Sequence, residues 1–305
     1  SAMSVTARQS AVLALVSVAA LVAGCAPSVA IPSASPSAGQ TGGPEPTLDA
    51  ATYWLRAATS QAIPPVDRFG VPPTALITGE GAYVIVGPTD AMYPGPALPN
   101  LLGRSITEDG RAAIVAEARR LGLLGGQTDF RSDSVPPGAP TGTLELTVDG
   151  SRLTLLGHPE AMIECVTTPC DAPPGTPAAF AAFWVALQDP ASGLGDAVGP
   201  ETPYVADAYA LLVGPPPPPE ASIPAHVLDW PLDVALGTFG SAVADGTRRC
   251  GTVTGDDAAR LRPMLEQATQ ASQWVQDPDT SATFGIVTRP FVPGEDPCVD
   301  AFGPG

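Results

Sequence analysis

Thr143-Leu144-Glu145-Leu146-Thr147-Val148-Asp149-Gly150-Ser151-Arg152-Leu153-Thr154-Leu155-Leu156 is the stretch whose reading decides the fold. Leu144, Leu146 and Val148 precede Asp149-Gly150, and Leu153 and Leu155 follow it, so apolar and polar residues alternate on both sides of a dipeptide that favours positive φ. A period of two puts one side-chain set on a buried face, and Asp-Gly closes a two-residue turn, so the stretch predicts a β-hairpin. Residues 74–87 repeat the pattern, with two apolar runs around Gly79-Glu80-Gly81. Tyr53 and Trp54 stand just before it, in a segment that reads as a first strand or a turn of helix.

Helical periodicity lies between and after these hairpins. Thr107 is placed to cap free amides, Glu108 and Asp109 suit the positive end of a helix, and Ile114, Val115, Ala118 and Leu121 form a stripe that Gly122 stops. Thr176-Pro177 opens a second helix, with Phe180, Phe183, Trp184 and Leu187 at i, i+3, i+4 and i+7 and Asp189-Pro190 at its end. Residues 204–213 read as a strand whose continuous apolar end calls for cover on both faces. The run Pro215-Pro216-Pro217-Pro218-Pro219 reads as a stiff connector. Beyond it, residues 233–240 and 247–253 are expected to pair around Asp245-Gly246. Leu261, Met264, Leu265 and Ala268 predict a helix that Pro263 kinks or restarts, and a closing strand runs over 282–289. The entry Val253-Thr254-Gly255-Asp256 matches Ile106-Thr107-Glu108-Asp109 at a few positions, which suggests two similar subdomains. The expectation is an α+β fold: hairpin-helix-hairpin units forming a largely antiparallel sheet covered by helices. Its divisions are an α+β subdomain at 49–213, a connector at 214–224 and a smaller α+β subdomain at 225–305.

The amino-terminal residues carry an address. Ser1 and Ala2 precede Met3 and stand outside the argument; Arg8 then leads into an apolar run over 11–23, broken by Ser17 and ending in small residues. This is the layout of a secretory signal, and it falls short of the roughly 20 apolar residues that a spanning helix needs. Its last residues, Val22-Ala23-Gly24-Cys25, resemble the lipobox of bacterial lipoproteins. That resemblance covers this segment alone and implies cleavage after residue 24, a lipid on the Cys25 sulfur and a place on the outer face of the cell membrane. An ordinary secretory signal is the rival reading. Residues 26–48 are almost entirely Ala, Pro, Ser, Gly and Thr, so 25–48 is expected to be a lipidated cysteine followed by a disordered tether reaching on the order of 60 Å. The wider layout of signal, tether and stapled α+β body is similar to that of secreted lipoproteins of unknown function in high-GC actinobacteria. It carries over no functional residue except Cys25.

Charge and cysteine usage narrow the chemistry. There are 31 acidic residues against 14 basic ones, a net charge of -17, and every basic residue is arginine. Without lysine there is no Schiff-base, phosphate-loop or serine-lysine chemistry. So acidic a chain is also a poor partner for nucleic acid or anionic head groups, because that affinity comes from neutralising cations. The membrane is therefore expected as a partner through the lipid alone. Cys165, Cys170, Cys250 and Cys298 make an even number in an exported chain and read as two disulfides. Three pairings are open; Cys165 with Cys170 and Cys250 with Cys298 are favoured. Neither spacing suits zinc.

No catalytic motif occurs. His158 and His226 are the two histidines, and no Gly-x-Ser-x-Gly, His-Glu-x-x-His or Cys-x-x-Cys pattern is present. Of the acid pairs, Glu108-Asp109 and Asp256-Asp257 sit at helix starts, and Glu295-Asp296 remains. Asp277, Asp279 and Ser281 open like a calcium loop, but Ala282 and Thr288 stand where glycine and glutamate belong. No cofactor is expected. The loop over 88–102 sets Met92, Tyr93 and Leu98 among four turn-forming Pro and Gly residues. With Trp54 and Trp230, these three are the candidate binding surface; the rival is that they pack against the sheet. The reading is a binding or interaction module for an unknown protein or small molecule. Its alternatives are a hydrolase using an acid pair or a histidine, and a protease inhibitor displaying the loop from Cys165 to Cys170.

Overall fold

The computed structural model describes residues 52–60, 64–89, 92–134, 136, 138–159, 172–219, 222–243, 246–276 and 282–303. The expected signal, Cys25 and tether lie outside them, as do Cys165, Cys170 and the calcium-loop spacing of Asp277, Asp279 and Ser281.

Asp149 and Gly150 take φ of 48° and 73°, which only a turn of the predicted kind needs. They join β6 (Thr141–Val148) to β7 (Ser151–Gly157) in unbroken antiparallel register from Gly142 against Gly157 to Val148 against Ser151. β2 (Ala75–Thr78) and β3 (Ala82–Val86) form the other predicted hairpin, and the first segment is a strand, β1 (Tyr53–Ser60). β4 (Leu101–Ser105), β5 (Asp129–Phe130) and β8 (Thr202–Pro203) complete a sheet of order β5-β7-β6-β1-β2-β3-β4-β8.

Two helices cover one face of this sheet. α2 (Glu108–Arg120) begins at Thr107, whose hydroxyl accepts from the Gly110 amide at 3.1 Å. α3 (Pro177–Ala186) begins at Thr176, which accepts from the Ala179 amide at 3.3 Å, and the short α4 (Pro190–Leu194) follows it. Ile114 and Ala118 of α2 and Phe180, Phe183 and Trp184 of α3 bury against Leu55, Ile77, Tyr83, Leu144 and Leu146.

The second sheet has order β10-β13-β14-β9-β12-β11. Its strands are β9 (Ala208–Gly214), β10 (Val227–Asp229), β11 (Ser241–Ala242), β12 (Arg249–Thr254), β13 (Gln273–Val275) and β14 (Thr283–Pro290). β9 belongs here, so the chain leaves the first sheet between Pro203 and Ala208, ahead of the prolines. As its apolar run requires, β9 is covered on both faces. Tyr209, Leu211 and Val213 meet Leu261 and Leu265 of α5 (Gly255–Gln267). Ala210 and Leu212 meet Phe69 of α1 (Pro65–Phe69) and Ala301 of α6 (Pro297–Phe302). Pro263 lies inside α5 without ending it. With both sheets largely antiparallel and helices packed on them, the fold is α+β.

Residues 233–240 do not form the expected strand. Leu232, Leu236 and Phe239 are buried at spacings of four and three, and the Trp230 indole donates to the Val234 carbonyl at 2.8 Å, which winds the segment into turns. The helices are followed differently as well: after α2 comes β5, at the sheet edge, then β6 and β7, whereas after α5 come β13 and β14 in order, with β10 outside β13. Cys250 on β12 and Cys298 on α6 form a disulfide, the pairing favoured above.

A buried ion cluster links the two sheets. Glu295 accepts from Arg56 of β1 at 2.9 and 3.1 Å through one oxygen and from Arg289 of β14 through the other. The side chain of Glu295 is 1% exposed. Such a carboxylate is tolerated only because both oxygens are paired. All these residues fall in one compact unit, Pro44–Gly305.

Candidate functional site: a cleft beside β14

β13 is too short to cover its neighbour. It pairs β14 only from Thr283 to Gly285, because the turn preceding it is held tight: Ser272 donates its amide to Thr269, and its hydroxyl accepts from the Thr269 amide at 2.8 Å. From Ile286 onward β14 has no strand on that side among the described residues, and a cleft of about 890 Å³ opens there.

Ile286, 8% exposed, and Thr288, 3% exposed, line its depth. Val66, Gly70 and Pro72, in and after α1, form one wall. Val86, Pro88 and Asn100, at the ends of β3 and β4, form another. The loop between β3 and β4 supplies the rest. Its base is closed by the Gly87 amide on the Asn100 carbonyl at 2.8 Å and by the Asn100 side chain on the Pro88 carbonyl at 2.9 Å. Its return is pinned by Ala97 donating to Ala268 and Gln270 donating to Gly95, each at 2.9 Å. Leu98 packs partly into the second core, while Met92 and Tyr93 stand at the tip, 78% and 54% exposed. The loop thus divides between packing and display.

Four large apolar residues exposed at the surface, Val71, Met92, Tyr93 and Val287, all rim this one cleft. Exposed apolar residues gathered in one place mark interaction sites more often than scattered ones do. At the bottom, the Thr288 hydroxyl is buried with no hydrogen-bond partner. A buried orphan of this kind costs about 1–3 kcal/mol. Trp54 and Trp230 do not join the cleft: they are 8% and 6% exposed, Trp54 in the first core and Trp230 edge-on to Trp274 and Phe239 in the second.

Compared with family models, curated proteins and solved structures, the chain matches none of them.

The groups named as catalytic candidates have structural partners. His226 Nδ1 lies 2.8 Å from the Ser272 hydroxyl, but that serine is 3% exposed and already caps the turn before β13. His158 Nδ1 lies 3.3 Å from the Pro140 carbonyl and faces a polar hollow shared with Asp129 and Ser132. Arg131 clamps the exposed Asp129 carboxylate at 2.9 and 3.1 Å, and its hydrogen bonds hold that carboxyl down at about 2. Glu108-Asp109 and Asp256-Asp257 lie in the first turns of α2 and α5. In the third pair Glu295 is held by two arginines, and Asp296 caps α6 by accepting from the Val299 amide at 3.2 Å. Among the described residues, no group of three or more His, Cys, Asp or Glu side chains could hold a metal ion.

The sequence points to Met92, Tyr93 and Leu98 as a binding surface but carries no such signal for Thr288, Val287, Val71 or Asp67, which share the cleft. A closing strand was legible there; the length of its neighbour, which leaves Thr288 beside a void, was not.

Proposed function

We propose that the chain is an extracytoplasmic lipoprotein, held to the cell membrane through Cys25, whose folded part is a binding module with its ligand site in the cleft beside β14. The observation that carries the reading is an exposed apolar rim of Met92, Tyr93, Val71 and Val287 leading down to the orphaned hydroxyl of Thr288. An apolar cavity with a small number of placed polar groups is the usual form of a small-molecule site, and 890 Å³ lies within the usual range of about 300–1,000 Å³. The rim supplies the contact area, and beneath it Thr288 lines the cleft with a buried hydroxyl that has no partner in the fold. The Cys250–Cys298 disulfide fits an oxidising compartment outside the cytoplasm.

A library of neutral fragments screened by NMR is expected to give hits that shift the signals of Met92, Tyr93 and Ile286. Thr288→Val should raise stability by about 1 kcal/mol, because it removes the orphan, and should weaken those hits several-fold. Hits scattered over the surface, or undiminished by the substitution, would remove the site. The anchor is tested separately by intact mass spectrometry of the membrane fraction, in which an unmodified Cys25 would exclude it.

A further inference from the structure

The electrostatics of the cleft narrow its ligand further. Among the described residues that line it, Asp67 alone carries a formal charge, and none is basic. The arginines nearest in sequence and space are committed elsewhere: Arg68 donates to the Ala301 carbonyl at 2.9 Å, and Arg289, buried, donates to the Phe69 carbonyl at 3.3 Å and to Glu295. An anion entering here would meet a carboxylate and no counter-charge, within a chain of net charge -17. A cation would meet Asp67 and Tyr93, both exposed and both lining the cleft, and an aromatic ring attracts positive charge.

We propose that the cleft takes a small organic cation: an apolar body seated against Ile286, Leu98 and Val86, and an ammonium or guanidinium head held at the mouth by Asp67 and Tyr93. This rests on reading the cleft as the ligand site, and the experiment separates the two. The probes are 4-phenylbutylammonium, 4-phenylbutanol and 4-phenylbutanoate, three heads on one skeleton, titrated into the full chain at low salt and followed through the Met92 methyl signal. The ammonium is expected to bind about tenfold tighter than the carboxylate, with the alcohol between them. Asp67→Asn should bring the ammonium to the level of the alcohol while leaving the alcohol unchanged, and Asp67→Glu should restore the difference. Because Asp67 is exposed on a surface helix, neither change burdens folding. A carboxylate that binds as tightly as the ammonium, or a preference that survives Asp67→Asn and so belongs to the overall charge, overturns the assignment and leaves the cleft intact as a site. Failure of all three probes to move Met92 or Tyr93 overturns the cleft itself.

Discussion

Glu295 is the residue on which the joining of the sheets turns. Its two oxygens pair with Arg56 and Arg289, whose side chains are 21% and 6% exposed, and beside them Val292 is set against Leu76, Val84 and Leu101. Removing the charge would leave Arg289 buried opposite a neutral amide, and breaking a buried pair from one side costs about 3–5 kcal/mol. Glu295→Gln is therefore expected to destabilise by about 3 kcal/mol, read as a lower urea midpoint at unchanged slope. A loss below 1 kcal/mol would show that the remaining contacts join the sheets without it. Nearby Asp300 has its carboxyl raised, by burial first and by the Glu295 charge second. An acid raised in this way favours the folded state when protonated, so its contribution is present at low pH and lost as pH climbs through its folded value.

At the scale of elements, local chemistry and neighbours divide the work. The β6–β7 hairpin, the Thr107 and Thr176 caps and the stripes of α2 and α3 were legible, because each is fixed by residues within a few positions of one another. The turns at 233–240 were not, because what decides them is burial of Leu232, Leu236 and Phe239 among side chains distant in sequence. Nor was the transfer of β9 to the second sheet, since five prolines look like a boundary whichever strand precedes them. The cleft was half legible: proline and glycine flagged the loop bearing Met92 and Tyr93, but its floor depends on where β13 stops. α6 is six residues long, too short to hold its place alone, and the disulfide ties it to β12 across a sequence separation of 48. Closing a loop of that length is worth about 4 kcal/mol on the chain-entropy estimate. The Cys250→Ser, Cys298→Ser double variant is expected to lose 2–4 kcal/mol on this ground, roughly the range seen for native disulfides, with earliest hydrogen exchange in α6. Uniform exchange across the second sheet would place the tie's effect elsewhere.

Across the whole molecule, the arginines divide between inward and surface partners: Arg119, Arg120, Arg131, Arg260 and Arg262 pair with carboxylates at the surface. Arg56 and Arg289 serve Glu295, and Arg68, Arg104 and Arg249 each donate to backbone carbonyls. The outer field follows the excess of acids in the sequence, 31 against 14 arginines. That field draws cations toward every face, so only a group placed as Asp67 is can convert general attraction into choice. The position of β1 has a different kind of consequence. It is the earliest described strand, yet it lies mid-sheet, clasped by β2 on one flank and by β6, which starts only at Thr141, on the other. A chain delivered amino end first must make and hold some eighty residues before that second flank arrives. During this interval β1 and β2 form a half-built ribbon with one bare margin, the stage at which a chaperone, or a second unfinished copy, would find a template to join.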